Sequence, residues 1–80
     1  MRFTTGLHMN HKTAMAIVSR GERVPFNGKV VDGLALVDES AQTGMSTHVL
    51  LEAKEGFDAA VAGAVIVEGW LKVEKRHDVA

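Results

Sequence analysis

Residues 27–38 read NGKVVDGLALVD. Asn27-Gly28 is among the strongest two-residue hairpin signals, because both residue types accept the positive φ that a tight primed turn demands. Lys29-Val30-Val31 then reads as a strand and Asp32-Gly33 as a second turn. A further strand follows, in which Leu34, Leu36 and their neighbours alternate. Two turn signals so close together leave no room for a helix.

The same punctuation extends outward in both directions. Upstream, TAMAIVSRGERVPFNG (residues 13–28) offers Met15, Ile17 and Val24 as inward positions, with a turn at Arg20-Gly21-Glu22. Downstream, THVLLEAKEGFD (residues 47–58) reads as a strand ending in a turn near Glu55-Gly56. In AAVAGAVIVEGWLKVEK (residues 59–75), Ala59 to Ala62 could make one helical turn, while Val65, Ile66 and Val67 favour a strand. Glu68-Gly69 reads as a turn, and Trp70 to Glu74 as a last strand, with Trp70 a core or edge packing residue. No segment holds helical periodicity for the length of a stable helix, so the pattern predicts an all-β sandwich, roll or barrel.

Eighty residues make one small domain, which buries roughly 60% of its unfolded-chain surface. With no cysteine there is no disulfide, thiol nucleophile or thiolate metal site. Stability must come from apolar burial, and 46% of the residues are hydrophobic. A formal net charge of −1 argues against a nucleic-acid binder that works by neutralising phosphates. Arg2, Lys12, Arg20, Arg23 and Lys29 face only Glu22 in the first part of the chain. Asp32, Asp38, Glu39, Glu52, Glu55 and Asp58 face only Lys54 in the middle. No apolar run approaches the ~18 residues that a membrane helix needs. No secretory signal is recognisable, so a cytoplasmic location is expected. The chain divides into an N-terminal arm (residues 1–12), a β domain (13–75) and a tail (76–80).

The chemistry-bearing stretch is VDESAQTGMS, residues 37–46. Asp38 and Glu39 are adjacent, so on a strand they would point to opposite faces and could pair only if the chain turns there. Composition alone favours a solvated loop edge. Thr43-Gly44 is compatible with a backbone nest for an anion, a feature common to many turns. Ser46 and His48 could share a strand face, but no orienting acid is evident. His8 and His11, with Met9 and Met15 nearby, have a spacing a metal could use, though two ligands on an arm make a poor site. The glycines match no phosphate-loop fingerprint.

Taken together, three segments carry a resemblance. VSRGERVPFNGKVVDG (18–33), LALVDESAQTGMS (34–46) and AGAVIVEGWLKVE (62–74) succeed one another as in the actuator domain of P-type cation-transporting ATPases, the E1-E2 ATPases. The likeness is to their heavy-metal and potassium branches, and it covers about residues 17–75. It implies a small distorted β-roll, or jelly-roll-like barrel, of short strands joined by tight turns. It also implies a phosphate-docking loop at Asp38, Glu39, Ser40, Thr43, Gly44, Met45 and Ser46. In the family this loop reads Thr-Gly-Glu and meets a phosphorylated aspartate on a separate phosphorylation domain, where the Glu activates the hydrolytic water.

The departures from that pattern are specific. Met45 stands where the family has Glu, and a thioether can neither carry charge nor take a proton. Asn27 replaces an Asp, His48 a Pro and Ala64 a Thr, while Gly56 and Phe57 disturb a Gly-Asp. The chain has no Asp-Lys-Thr-Gly phosphorylation sequence, no nucleotide-binding domain and no membrane helix. The expectation is a non-catalytic actuator-like domain with no cofactor, partnered by a phosphorylation domain, with neither nucleic acid nor membrane insertion. The alternative is a stand-alone interaction or homo-oligomerising module with no ATPase role. Metal sensing through His8, His11, Met9 and Met15 is a third reading.

Overall fold

The computed structural model describes residues 8–9 and 14–76. Within them, six strands and one helical turn succeed each other: β1 (His8–Met9), β2 (Ala14–Ser19), β3 (Gly28–Asp38), α1 (Ser40–Thr43), β4 (His48–Glu52), β5 (Ala59–Ala60) and β6 (Val65–Lys75). All pairings are antiparallel, in the order β1-β2-β6-β3-β4, and β5 adds to β3 beside its first residues. The all-β expectation is therefore met. Among the described residues, no helix is long and apolar enough to cross a membrane.

β3 and β6 are the spine, each running for 11 residues. Here the structure departs from the turns expected at Asp32-Gly33 and Glu68-Gly69, for both glycines lie inside continuous strands. Gly33 (φ 94°) and Gly69 (φ 89°) sit on neighbouring strands, Gly33 opposite Leu71 and Gly69 opposite Ala35. A side chain on Gly33 would run into the Trp70 backbone and ring, and one on Gly69 into the Leu34 carbonyl. Glycine here allows two long strands to kink and approach instead of reversing them. Register shifts between Val30 and Asp32, and again between Leu36 and Val37, bend the pair further. Glycine and aspartate are turn formers by local propensity, and only the partner strand distinguishes a turn from a kink.

Asn27-Gly28 is likewise not a hairpin tip. Gly28 opens β3, paired with Lys75 on one side and Ala60 on the other. Asn27 acts as a staple: its Oδ1 accepts from the Ala62 amide at 2.8 Å and its carbonyl from the Arg76 amide at 2.9 Å. The Arg20-Gly21-Glu22 turn does form. The Glu22 amide donates to Ser19 O at 2.9 Å, and Glu22 Oε1 accepts from the Ser19 amide at 2.8 Å. A turn also forms at Glu55-Gly56, closed by the Phe57 amide on Lys54 O at 2.9 Å. Ala59-Ala60 is a short strand, not the start of a helical turn.

The core is one cluster of small and branched residues: Ala16, Val18, Val24, Val30, Ala35, Val37, Leu51, Ala60, Ala64, Ile66, Leu71 and Val73, with Phe26 and Val49 packed against it. No buried side-chain nitrogen or oxygen in the described residues lacks a partner. Full burial of such a Val, Leu or Ile is worth roughly 1.5–3 kcal/mol each. Val24 points inward as expected, whereas Met15 is half-buried and Ile17 lies 44% exposed. The inward positions of β2 are Ala14, Ala16 and Val18. In Ala-Met-Ala-Ile-Val both alternating sets are apolar, so sequence alone leaves the parity of this strand open. Trp70 is neither core nor edge: it is 43% exposed on β6, which is paired on both sides.

Candidate functional site

The VDESAQTGMS stretch caps the β3–β4 hairpin. Asp38 is the last residue of β3 and pairs with His48, the first of β4. The chain turns directly after Asp38, so Asp38 and Glu39 do not lie on one strand. Asp38 Oδ1 accepts from the Ser40 amide at 2.8 Å, the local bond that draws aspartate to such corners. Glu39 begins the helical turn with its own side chain uninvolved in capping. Its amide donates to Thr47 O at 3.0 Å, and its carbonyl receives the Gln42 and Thr43 amides at 3.0 Å each.

Gly44 ends α1 in the left-handed conformation, φ 77°, with its amide on Ser40 O at 2.8 Å. Glycine takes this cap position at least steric cost. Thr43 Oγ1 is the hub of the loop between α1 and β4. It accepts from the Met45 amide at 3.2 Å, lies 3.2 Å from the acceptor carbonyls of Glu39 and Met45, and is 3.4 Å from Thr47 Oγ1. The amides of Gln42 to Met45 are thus all bonded inside the loop, which leaves none of those four free to form an anion nest. Met45, pinned through its amide, points its side chain outward and is 66% exposed.

Asp38 has a perturbed carboxyl. The Ser40 hydroxyl and then the Ser40 amide hold its carboxyl below the usual carboxylate range. Partial burial opposes this, and His48 adds a smaller pull in the same direction. Asp38 Oδ2 lies 3.9 Å from His48 Nε2. An acid beside His48 was not evident in the sequence, because the two stand ten positions apart and only the hairpin register brings them together. Ser46 precedes β4 and makes no hydrogen bond to His48, so no serine–histidine pair forms.

The loop also rests on a second element. Gln42 Nε2 lies over Gly63, where a Cβ would come within 2.6 Å of it. Gly63 in turn donates to Val24 O at 2.8 Å and accepts from Arg23 Nη1 at 3.1 Å. Thr47, Gln42 and Gly63 were not legible as parts of the site, because their roles arise from contacts across the fold. Of the residues considered for metal, His8 and Met9 form β1, His8 paired with Met15, while His11 lies outside the described residues. Surface recesses near Gly28, Lys29, Asp58 and Glu74 lie at the other end of β3 and mix both charges.

A hairpin-capping loop of this composition can present a side chain at position 45 to another surface, on a backbone fixed by its own hydrogen bonds. A family model described as the P-type ATPase actuator domain matches residues 14–78, nearly all of the described chain. The chain belongs to the P-type ATPase actuator domain family. Among curated relatives, this actuator domain is 47% identical over 57 residues to "Potassium-transporting ATPase ATP-binding subunit 1" of Staphylococcus aureus strain Mu50, covering 71% of the chain and 8% of that protein. It is 44% identical over 63 residues to "Potassium-transporting ATPase ATP-binding subunit" of Clostridium acetobutylicum, covering 79% of the chain and 9% of that protein. The actuator domain therefore spans less than a tenth of the length of these relatives.

Proposed function

We propose that the chain is an actuator domain whose loop docks against a phosphorylated aspartate of a P-type ATPase without activating water, because Met45 holds the position of the hydrolytic Glu. It works as a docking and coupling element on the cytosolic side of a pump. The observation that carries this reading is the placement of Met45. It stands at the exposed tip of a loop whose backbone is fixed by Thr43, Ser40 and Glu39, which supports a loop that still presents position 45 to a partner.

The chemistry comes from the side chain. Hydrolysis of an acyl phosphate needs a water that is oriented and stripped of a proton as it attacks phosphorus. A carboxylate at position 45 would accept that proton, whereas a thioether is uncharged and a weak acceptor. Losing a general base costs about 10²- to 10⁴-fold in the step it serves. Docking depends instead on the shape of the loop and its polar neighbours, and the Thr43-centred hydrogen bonds support such a shape here.

The test is a titration of the labelled chain with an isolated phosphorylation domain, with and without beryllofluoride to mimic its aspartyl phosphate. Docking through the loop shifts the amide resonances of Thr43 to Ser46 only when beryllofluoride is present. No shift at those residues, with or without the mimic, would refute the docking role.

A further inference from the structure

The face of the sheet turned away from the core carries an apolar patch that neither the core nor the loop uses. Pairing places its residues in adjoining rows. In one row Ser19, Trp70, Leu34 and Glu52 lie side by side across β2, β6, β3 and β4. In the next, Glu68, Leu36 and Leu50 do so. Leu34 is 53% exposed, Leu50 48% and Trp70 43%. Three large apolar side chains exposed together across β6, β3 and the terminal strand β4 are unusual for a small domain and mark an interaction surface.

The charges around the patch specify its partner. In those two rows the only charged side chains are Glu52 and Glu68. In the row on one side Asp32 sits opposite Lys72, so that pair adds no net charge, and in the row on the other Asp38 sits opposite His48 and adds a further carboxylate. Among the described residues, Glu52 and Glu68 make no ion pair. A second copy would bring the same surplus of carboxylates to the contact, which electrostatic complementarity disfavours. A segment with an apolar stripe flanked by Lys or Arg meets both features at once.

We infer that this outer face, centred on Trp70, Leu34 and Leu50 and flanked by Glu52 and Glu68, is a docking surface for a basic amphipathic polypeptide segment. The surface ends one row short of Asp38 and His48, where the loop that carries Met45 begins. Apolar contact supplies the affinity, while the two glutamates select the sign of charge and set the register.

Trp70 is the chain's single tryptophan and reports on its own surroundings. The experiment titrates the full chain with a 14-residue Leu/Lys amphipathic peptide and, separately, with its Leu/Glu counterpart, and follows Trp70 emission. The Leu/Lys peptide is expected to shift the emission to the blue in a salt-sensitive manner, and the Leu/Glu peptide to leave it unchanged. The double variant Glu52→Lys/Glu68→Lys weakens binding roughly tenfold or more, by exchanging attraction for like-charge repulsion. Leu34→Ser, an exposed substitution compatible with folding, weakens it by a similar factor. Equal binding by the double variant or a blue shift with the Leu/Glu peptide would overturn the inference. So would an emission that depends on protein concentration without peptide, since a second copy would then be the occupant.

Discussion

The Thr43 hydroxyl accepts the amide of Met45, two residues on, at 3.2 Å, and the same oxygen lies within 3.4 Å of Thr47 Oγ1. One side chain thus joins the end of α1 to the segment leading into β4. Thr43→Val keeps the shape and removes the hydroxyl, at a cost of about 1 kcal/mol. Because the loop is exposed, the loss is local: amide exchange at Met45 accelerates about fivefold while the urea midpoint shifts little. An unchanged Met45 exchange rate would show that the hydroxyl does not fix the tip.

Asp38 makes loop stability depend on acid. Its carboxyl titrates below the usual range, chiefly through Ser40, so the folded state binds its proton less readily than the unfolded chain. The stabilisation is present above the ordinary aspartate pKa of about 3.9 and is lost as pH falls through the lower folded value. In Ser40→Ala the titration of the Asp38 carboxyl, followed by carbon NMR, moves up towards the ordinary value. No movement would assign the depression to some other group.

The spine glycines separate two costs. Gly33→Ala and Gly69→Ala each meet backbone of the opposite strand as well as an unfavourable positive φ, and are expected to lose about 3 kcal/mol or more. Gly56→Ala, with φ 91° but open space around it, carries only the conformational cost of about 1 kcal/mol. Urea unfolding distinguishes them, and equal losses at all three positions would remove the close-approach argument.

Neighbours on β2 should likewise differ. Val18 is fully buried and Ile17 is 44% exposed, so Val18→Ala costs about 2 kcal/mol and Ile17→Ala about 0.5 kcal/mol. A larger loss at Ile17 would mean that the strand faces the other way.

Strand content, the turns at Gly21 and Gly56, and the loop at 37–46 were legible because each rests on local chemistry: branched residues, left-handed glycines, an aspartate at a corner. The kinks at Gly33 and Gly69 and the parity of β2 were not. Gly33 looks like a turn until Leu71 and Trp70 are known to lie beside it, and Ala-Met-Ala-Ile-Val offers an apolar residue to either face. The same holds for the site. Met45 stood out in sequence through the family resemblance, but the Asp38–His48 contact and the Gln42 rest on Gly63 depend on register between distant segments.

The most direct measurement of the central claim uses a full-length potassium-transporting relative in which this chain's loop, with Met45, replaces the native one. The decay of its phosphoenzyme is followed in a single turnover and compared with the same protein carrying Met45→Glu. Decay about 10²- to 10⁴-fold slower with Met than with Glu is the predicted result. Equal decay with both residues would contradict the account.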